Sequence, residues 1–519
     1  MESARPLNVL AARIATRAET SEPQTLVRTF VNVQPVADAL CNPDNQILYG
    51  RRGTGKTHTL HHLAAQVLAA GGLPIYLDLR QIGSNTGLYS DDSEPLSLRG
   101  TTLLVDILEG IHNELLSRAI VDDRFEGILH VLDDFVVAST QVKVKGPVTE
   151  SEETEHGDTK ESGSRAHITV SPKGLDAGIE ASAKSAASQA SKKSRQISGT
   201  ETPKVVFGQL RLAAEKIAEQ MQPHRIWVLL DEWTSVPIAL QPILADMLRR
   251  AIFPLRGWVV KIGAIERRSL FYQPAPQGTD YVGLEPSADT GASLNLDEHL
   301  QEGEAGPEAR SFFAELIFRH LEVLLEEHNK GTPYPDRNAL VRDLCDVGAF
   351  EELVRAAEGV PRDAIQLLGK AARCAGKNKI QRAHVRKSAM KHFTTDKEVI
   401  VTQNQSAWSL WKRIQKTVVL DGRSRIFLVK KRSDTPASLL DLHDARLIHL
   451  IRPSLTVRGK EDVYDGYCVD YGSYVNLLEE AEIDAAWDVR NSPWLFSDQD
   501  FYLSDNFDKS KVIRVHKSN

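Results

Sequence analysis

The stretch QILYGRRGTGKT, residues 46–57, decides the fold of this chain. Three apolar residues run into the pattern Gly50-x4-Gly55-Lys56-Thr57, and a helix-forming segment rich in Leu and Ala follows. This is the P-loop pattern in its required setting, a strand followed by a glycine-rich loop and a helix. The alternative is a simple glycine turn before a helix, but the correct flanks favour nucleotide binding.

Each residue type in this loop has a chemical reason for its position. Backbone N–H groups near Gly53 and Gly55 can approach phosphate oxygens because glycine has no Cβ, and the helix start adds its positive dipole end. Lys56 is expected to reach the β- and γ-phosphates, and the Thr57 hydroxyl is expected to ligate Mg²⁺. We therefore predict ATP and Mg²⁺ as ligands of a loop comprising Gly50, Arg51, Arg52, Gly53, Thr54, Gly55, Lys56, Thr57 and His58.

The segment after the loop predicts a parallel sheet. TLHHLAAQVLAA, residues 59–70, reads as a helix that stops at Gly71-Gly72, and LPIYLDLR, residues 73–80, reads as a buried strand. A strand, a helix and a strand within about 35 residues form a βαβ unit, whose two strands are parallel.

A second motif lies at IWVLLDEW, residues 226–233, where an apolar run ends in two adjacent carboxylates. An apolar run of this kind suits a central parallel strand, and its ending matches a Walker B strand. Asp231 is expected to hold Mg²⁺ through water, and Glu232 to orient and deprotonate the attacking water. Glu266 closes the next predicted strand, where it could contact the γ-phosphate or that water.

Composition fits a soluble globular protein. The 519 residues suggest roughly three domains, with 41% hydrophobic and 26% charged residues. The four cysteines form no C-x-x-C pair, so the sequence indicates neither a zinc site nor a disulfide framework. The sequence shows no signal peptide and no apolar run long enough to span a membrane, so we expect a cytoplasmic protein without membrane contact.

Two segments are expected to lack a stable fold. Residues 1–28 show no sustained periodicity and are interpreted as a flexible N-terminal arm. Residues 145–203, dominated by Ser, Glu, Lys, Ala, Gly and Thr, are interpreted as a low-complexity insertion that is disordered or loosely β.

Charge is unevenly distributed. The net charge is −7, but residues 370–432 contain 17 Lys and Arg against three acids, a net of +14 that leaves −21 for the rest. A polyanion such as double-stranded DNA is therefore a candidate partner of this basic segment, although a charge cluster can also be an ordinary solvated face.

Four stretches together resemble the AAA+ ATPases of the initiator clade, which includes the origin-recognition and replication-licensing ATPases, in its bacterial relatives. They are YGRRGTGKTH (49–58), LLDEW (229–233), VKIGAIERR (260–268) and GVPRDAI (359–365). The resemblance implies an α/β P-loop AAA+ core with a parallel sheet, a helical lid and a C-terminal winged-helix-like α+β domain. It makes Arg362 the sensor-2 arginine that contacts the γ-phosphate. The sequence departs from the clade at Glu266, where Asn or Thr is usual.

The resemblance divides the chain into an ATPase core at 29–305, a helical lid at 306–394, and a winged-helix-like domain with a tail at 395–519. The order helix, strand, helix, strand, strand after residue 405 supports the last assignment. Its expected phosphate-contacting face consists of Lys412, Arg413, Lys416, Arg423, Arg425, Lys430, Lys431 and Arg432.

The sequence leaves more than one function open. The first is a DNA-associated ATP-hydrolysing switch or loader whose ATP state sets the lid and the C-terminal domain, in a nucleotide-dependent oligomer. The second is a signalling or phage-defence ATPase whose nucleotide-gated oligomerisation controls an effector protein. The third is a structural or plasmid-maintenance factor that binds ATP without hydrolysing it.

Overall fold

The computed structural model describes most of the chain. The described residues are 5–32, 36–82, 94–139, 204–274, 281–297, 307–328, 334–421, 425–431, 435–456, 463–475 and 512–513. Between 142 and 203 it describes only six short strands, Val142–Lys145, Val148–Glu153, Ser162–Ser164, Ile168–Val170, Lys192–Ile197 and Thr200–Pro203, which form two three-stranded antiparallel sheets. The predicted disorder of the other insertion residues lies outside the described part.

The strands outside the insertion are β1 Gln46–Tyr49, β2 Leu73–Asp78, β3 Ile226–Asp231, β4 Trp258–Ala264, β5 Tyr272–Pro274, β6 Tyr281–Gly283, β7 Leu294–Asn295, β8 Ile426–Lys430, β9 Ile448–Thr456, β10 Val463–Val469 and β11 Val512–Ile513. The helices are α1 Pro6–Ala11, α2 Pro23–Thr29, α3 Val36–Leu40, α4 Lys56–Ala69, α5 Leu96–Val121, α6 Leu129–Ser139, α7 Phe207–Gln220, α8 Gln241–Ala251, α9 Pro286–Asp289, α10 Pro307–Glu327, α11 Arg337–Leu344, α12 Val347–Ala356, α13 Pro361–Ala375, α14 Arg382–His392, α15 Glu398–Val401, α16 Gln405–Ile414 and α17 Ala437–Asp444.

The core sheet is parallel and has the order β7-β1-β4-β3-β2. Every residue of β3 and β4 is buried, because helices cover both faces of the sheet. Alternate residues of β3 enter different cores. Val228 and Leu230 pack with α5 to α8, whereas Trp227 and Leu229 pack with α3 and α4. The predicted α/β fold class is confirmed.

Residues 5–28 are folded, in contrast to the flexible arm that we expected. Leu7, Leu10, Ala11 and Ile14 are buried in the same core as the lid helices. The Asn8 side chain donates to the Gly376 and Asn378 carbonyls at 2.8 and 2.9 Å. The buried positions follow helical spacing, but a helix of six residues gives too short a periodic signal to be recognised in the sequence.

The described residues of the lid form five helices, α10 to α14. Two of them, α11 and α12, are separated at Cys345. Cys345 has extended backbone angles and forms a parallel bridge with Ile380. The periodic pattern continues across the break because both helices bury apolar residues in one core.

The lid and the C-terminal domain share a single hydrophobic core. Trp411, Phe427, Tyr467 and Tyr471 are buried in the cluster that also contains the lid residues. A π-helical turn, Phe393–Lys397, joins α14 to α15 without a linker. The boundary that we placed after residue 394 is therefore not a break in packing.

The C-terminal domain has the predicted order α16, β8, α17, β9, β10, and its sheet has the order β9-β10-β8-β11. In that sheet β10 is antiparallel to β8 and β9. Among the described helices, none is long and apolar enough to cross a bilayer.

Candidate nucleotide-binding site

The P-loop connects β1 to α4, which begins at Lys56. Gly53 and Gly55 have φ values of 89° and 104°, a region that L-residues rarely adopt. A Cβ on Gly53 would lie 2.9 Å from the Arg362 Cβ. Glycine at this position therefore lets the lid approach the loop.

Lys56 is 8% exposed, and its ammonium is held by the loop itself. Its Nζ donates to the Gly50 carbonyl at 2.8 Å and to the Arg51 carbonyl at 3.1 Å. Burial lowers the Lys56 pKa, while the carboxylates of Asp231 and Glu232 oppose this effect. The ammonium is thus directed towards the mouth of the loop, where phosphate oxygens could replace the carbonyls.

Asp231 is fully buried at the end of β3 and collects three hydrogen bonds. Its Oδ2 accepts from Thr57 Oγ1 at 2.6 Å and from the Tyr76 hydroxyl at 2.9 Å. Its Oδ1 accepts from the Glu232 backbone N–H at 2.8 Å. The fold therefore brings the Thr57 hydroxyl and the Asp231 carboxylate, 174 positions apart in sequence, into contact.

Glu232 follows directly, with a left-handed backbone at φ 56°. Burial and the neighbouring Asp231 raise the Glu232 pKa, while Lys56 and Arg80 oppose the rise. The Arg80 guanidinium lies 3.8 Å from Glu232 Oε1 and is itself bound by Asp78 and Glu19. Such a carboxylate is a suitable general base, because a raised pKa strengthens its affinity for a proton.

A cavity of about 370 Å³ lies above the loop. The P-loop, the end of β2, Glu232, the lid and the N-terminal residues 15–21 all contribute to its lining. The site-residue predictions that line it are Arg52, Gly53, Gly55, Lys56, Thr57, His58, Glu232 and Arg362. Its volume lies within the roughly 300–1,000 Å³ typical of small-molecule sites.

Arg362 reaches this cavity from the N-terminus of lid helix α13. Its backbone N–H donates to the Gly53 carbonyl at 3.2 Å, so that the lid is hydrogen-bonded to the phosphate loop. His58 lies next to the loop, and its Nε2 contacts the Leu26 carbonyl at 2.5 Å. Burial lowers the His58 pKa, which favours a neutral ring that donates to that carbonyl.

Several predicted site residues do not line the cavity. The Arg51 side chain is 4% exposed and turned towards Asp297 and His449. Gly50 and Thr54 shape the loop from within, with Thr54 Oγ1 donating to the Arg51 carbonyl at 2.9 Å. Glu266 is exposed and accepts a hydrogen bond from Asn295 Nδ2 at 3.3 Å, outside the cavity lining.

Three residues at the site were missed by sequence reasoning: Tyr76, Arg80 and Glu19. Tyr76 carried a usable signal, because a tyrosine inside a buried strand requires a partner for its hydroxyl. Arg80 and Glu19 carried none, since their contact joins residues 61 positions apart.

The site suits Mg²⁺. The described residues contain no cluster of three or more His, Cys, Asp or Glu that could hold a metal by itself. Mg²⁺ does not require one, because it is usually bound by one or two protein oxygens together with phosphate oxygens and water. The adjacent oxygens of Thr57 and Asp231 match that donor set.

The predicted phosphate-contacting face is only partly a surface. Arg425 is 3% exposed and bound to Glu358 at 2.9 Å, so this prediction is wrong for Arg425. Lys412 contacts Glu398 and lies over the Trp408 ring. The exposed cations of this face are Lys412, Arg413, Lys416, Lys430 and Lys431, while Arg423 and Arg432 lie outside the described residues.

Comparison with known proteins supports the predicted resemblance. Residues 15–81, which contain the P-loop and β2, match the ORC-CDC6-like family model. Together with the contact between Thr57 and Asp231, this match confirms the predicted resemblance to the AAA+ proteins of the initiator clade. No curated protein matches the chain.

Two solved structures are similar at low identity. The Aeropyrum pernix Orc1 protein in complex with DNA is 14% identical, with 92% of this chain and 97% of that chain covered and a TM-score of 0.30. The Thermotoga maritima RuvB Holliday junction branch migration motor is 11% identical, with 86% and 92% covered and a TM-score of 0.30. These TM-scores are too low to carry an argument about function.

Proposed function

We propose that this chain, which resembles the ORC-CDC6-like proteins, binds and hydrolyses ATP and that its nucleotide state sets the lid and the C-terminal domain. One observation carries the proposal. The P-loop, the Walker B residue Glu232 and the lid arginine converge on a single cavity, and the Arg362 N–H is hydrogen-bonded to the Gly53 carbonyl.

In this proposal each residue has a separate task. The Lys56 ammonium exchanges its two carbonyl partners for oxygens of the β- and γ-phosphates. Glu232 takes a proton from the attacking water. Asp231 orients Glu232 by accepting a hydrogen bond from the Glu232 backbone N–H. Arg362 neutralises charge on the γ-phosphate from the lid. Thr57 and Asp231 would hold Mg²⁺, which would supply charge neutralisation for the phosphate oxygens.

DNA association is the second half of the proposal. Lys430 and Lys431 lie at the exposed end of β8 and could contact phosphates. The helix before the β9–β10 hairpin is a poorer candidate, because Asp441 and Asp444 of α17 bind Arg268 of the ATPase core. That orientation keeps the effector-protein alternative open, since the helix is directed towards the core.

Two substitutions test the chemistry. Lys56→Ala should abolish ATP binding, because no other cation has the same position in the loop. Glu232→Gln should bind ATP with unchanged affinity and hydrolyse it at least 100-fold more slowly, the usual scale of a lost general base. Equilibrium binding of labelled ATP and phosphate release would be measured on both. Wild-type turnover by Glu232→Gln would show that Glu232 is not the base.

A further inference from the structure

Arg51 lies within the phosphate loop, but its side chain connects three other parts of the molecule. Its Nε donates to Asp297 Oδ1 at 2.8 Å, and its backbone N–H donates to Asp297 Oδ2 at 2.8 Å. One terminal nitrogen donates to the Glu358 carbonyl of the lid at 3.2 Å, and the other contacts His449 Nδ1 of strand β9 at 2.5 Å. The guanidinium therefore joins the P-loop to the lid and to the C-terminal domain.

The protonation of His449 is defined by its neighbours. Because the arginine can only donate, Nδ1 must be the acceptor, and Nε2 then donates to Asp470 Oδ2 at 3.1 Å. Burial lowers the His449 pKa to about 4, Asp470 opposes that shift and Arg51 adds to it. The ring is therefore neutral near pH 7 and transmits a directed hydrogen bond from Arg51 to Asp470.

Lys397 links Asp470 to the sensor-2 helix α13. Lys397 Nζ lies 2.6 Å from Asp470 Oδ2 and 2.8 Å from Asp363 Oδ2. Asp363 is the residue after Arg362 and is fully buried. Thus the P-loop, through Arg51, and the lid, through Asp363, converge on one carboxylate of the C-terminal domain.

The backbone of Arg51 connects these contacts of its side chain to Lys56, the expected phosphate ligand. Its carbonyl accepts from Lys56 Nζ at 3.1 Å and from Thr54 Oγ1 at 2.9 Å. Phosphate oxygens that bind Lys56 would compete with this carbonyl for the ammonium. Nucleotide binding therefore acts on the peptide unit that carries the buried guanidinium.

We propose that Arg51 is a positioning residue that makes the conformation of the phosphate loop depend on the docking of the C-terminal domain through His449. The inference rests on the proposed function, because it takes the loop to be the phosphate site. Coupling of this kind is reciprocal: if docking changes ATP affinity, ATP changes docking by the same factor. Buried, mutually satisfied groups suit this role, since removing one partner leaves another charge unpaired.

The test uses the full chain with a non-hydrolysable ATP analogue and Mg²⁺. Amide hydrogen exchange is followed in β9 and β10, and analogue affinity is measured by fluorescence. In the wild type the analogue should change exchange in this hairpin. In Arg51→Met that change should disappear, and affinity should shift about five-fold or more, the lower range of measured couplings.

Arg267→Met is the matched control. Arg267 also joins the core to β10, through Asp465 at 2.8 Å and the Tyr467 hydroxyl at 2.7 Å, but it does not belong to the P-loop. This variant should loosen the hairpin in both nucleotide states and keep the response to the analogue. His449→Leu removes the acceptor of the same contact from the opposite side and should reproduce Arg51→Met, so the proposal stays testable if Arg51→Met fails to fold.

The outcomes separate the two proposals. If the wild type binds the analogue and the hairpin does not respond, the coupling and the proposed nucleotide control of the C-terminal domain are both refuted, while the ATP site stands. If both Arg51→Met and His449→Leu retain the response, only the coupling through Arg51 is refuted. If the wild type does not bind the analogue at all, the proposed function fails first.

Discussion

At the residue scale, Asp231 shows how much of the site depends on one buried carboxylate. Each of its two oxygens is occupied: Oδ2 accepts from Thr57 and Tyr76, and Oδ1 accepts from the Glu232 N–H. A carboxylate held on both sides cannot rotate freely. The orientation of the neighbouring Glu232 is thereby tied to that of Asp231.

Tyr76 is expected to orient Asp231 for Mg²⁺. Tyr76→Phe removes one hydrogen bond to a charged acceptor, worth about 1.5–3 kcal/mol, so the Mg²⁺ concentration for half-maximal tightening of ATP-analogue binding should rise about ten-fold. Analogue titrations with Mg²⁺ and with EDTA would measure it. Affinity in EDTA should stay unchanged.

Tyr49→Phe provides the matched control for this substitution. Tyr49 lies on strand β1 of the same sheet and packs against Phe271, and its hydroxyl is not bonded to Asp231. The positioning role of Tyr76 would be contradicted if the half-maximal Mg²⁺ concentration rose equally in both variants, or if it did not rise in Tyr76→Phe.

At the element scale, helix α1 is only six residues long but contributes to the core of the lid and the C-terminal domain. Leu10 is 0% exposed and packs in the core of the lid and the C-terminal domain. The following residues, Ala15 to Glu19, form a wall of the cavity, and Glu19 binds Arg80. The N-terminal segment therefore connects the lid core to the region around Glu232.

Leu10→Ala should lower the free energy of unfolding by about 2–5 kcal/mol, because a fully buried leucine leaves a cavity when it is truncated. Leu212→Ala is the control: Leu212 is 56% exposed on α7, and its truncation should have little effect. Chemical denaturation would measure both. Similar stability of the two variants would mean that α1 is not part of the lid core.

The ion network between the lid and the C-terminal domain predicts a dependence on pH. Although burial opposes ionisation, Lys397 and His449 hold the Asp470 pKa at about 2 instead of the usual 3.8. Because the folded-state pKa is depressed, the stabilisation is present above about pH 4 and is lost as pH falls towards 2. The pKa of Lys397 shifts in the opposite direction. Burial alone would lower its pKa, but Asp363 and Asp470 outweigh burial and raise it.

Asp470→Asn should therefore lower the free energy of unfolding by about 2 kcal/mol at pH 7, and the difference from the wild type should shrink between pH 4 and pH 2. Denaturation at several pH values would measure this. Asp122→Asn, at a half-buried surface aspartate paired with Arg124, is the control. A difference that stays constant down to pH 2 would show that the ionised form of Asp470 is not the stabilising one.

At the scale of the whole molecule, the count of basic residues overstates the charged surface. Lys397 and Arg425 belong to the basic segment but are buried in ion pairs with acids of the lid and the C-terminal domain. Lys430 and Lys431 remain exposed at the end of β8. The surface that could contact DNA is therefore smaller than the net charge of +14 indicates.

Charge reversal at Lys430 and Lys431 tests that surface. The double variant to Glu should weaken duplex DNA binding and flatten the dependence on salt, by about 0.9 in the logarithmic slope for each lost phosphate contact. Fluorescence anisotropy at several salt concentrations would measure it. Reversing Lys204 and Lys216 of the ATPase core changes the net charge equally and should have a smaller effect. Equal losses would reject the β8 surface, and no wild-type binding at low salt would favour an effector protein.

The sequence by itself determined the features whose chemistry is local. A P-loop needs glycines at fixed spacing before a lysine and a threonine, and a central parallel strand needs an apolar run, so both were recognisable without any long-range contact. The order of helices and strands after residue 405 was predictable for the same reason, since periodicity is set by neighbouring residues.

Only the tertiary structure decided how charged side chains are used. Arg51 and Arg52 are adjacent in one motif, but Arg52 lines the cavity and Arg51 is directed towards His449, 398 positions away. Arg425 is buried against its acidic partner Glu358, whereas Lys430 is exposed at the end of β8. An ion pair is formed by proximity in space, and a sequence states only which charges exist. The orientation of Arg51, the folded N-terminal segment and the reduced basic surface therefore followed from packing alone.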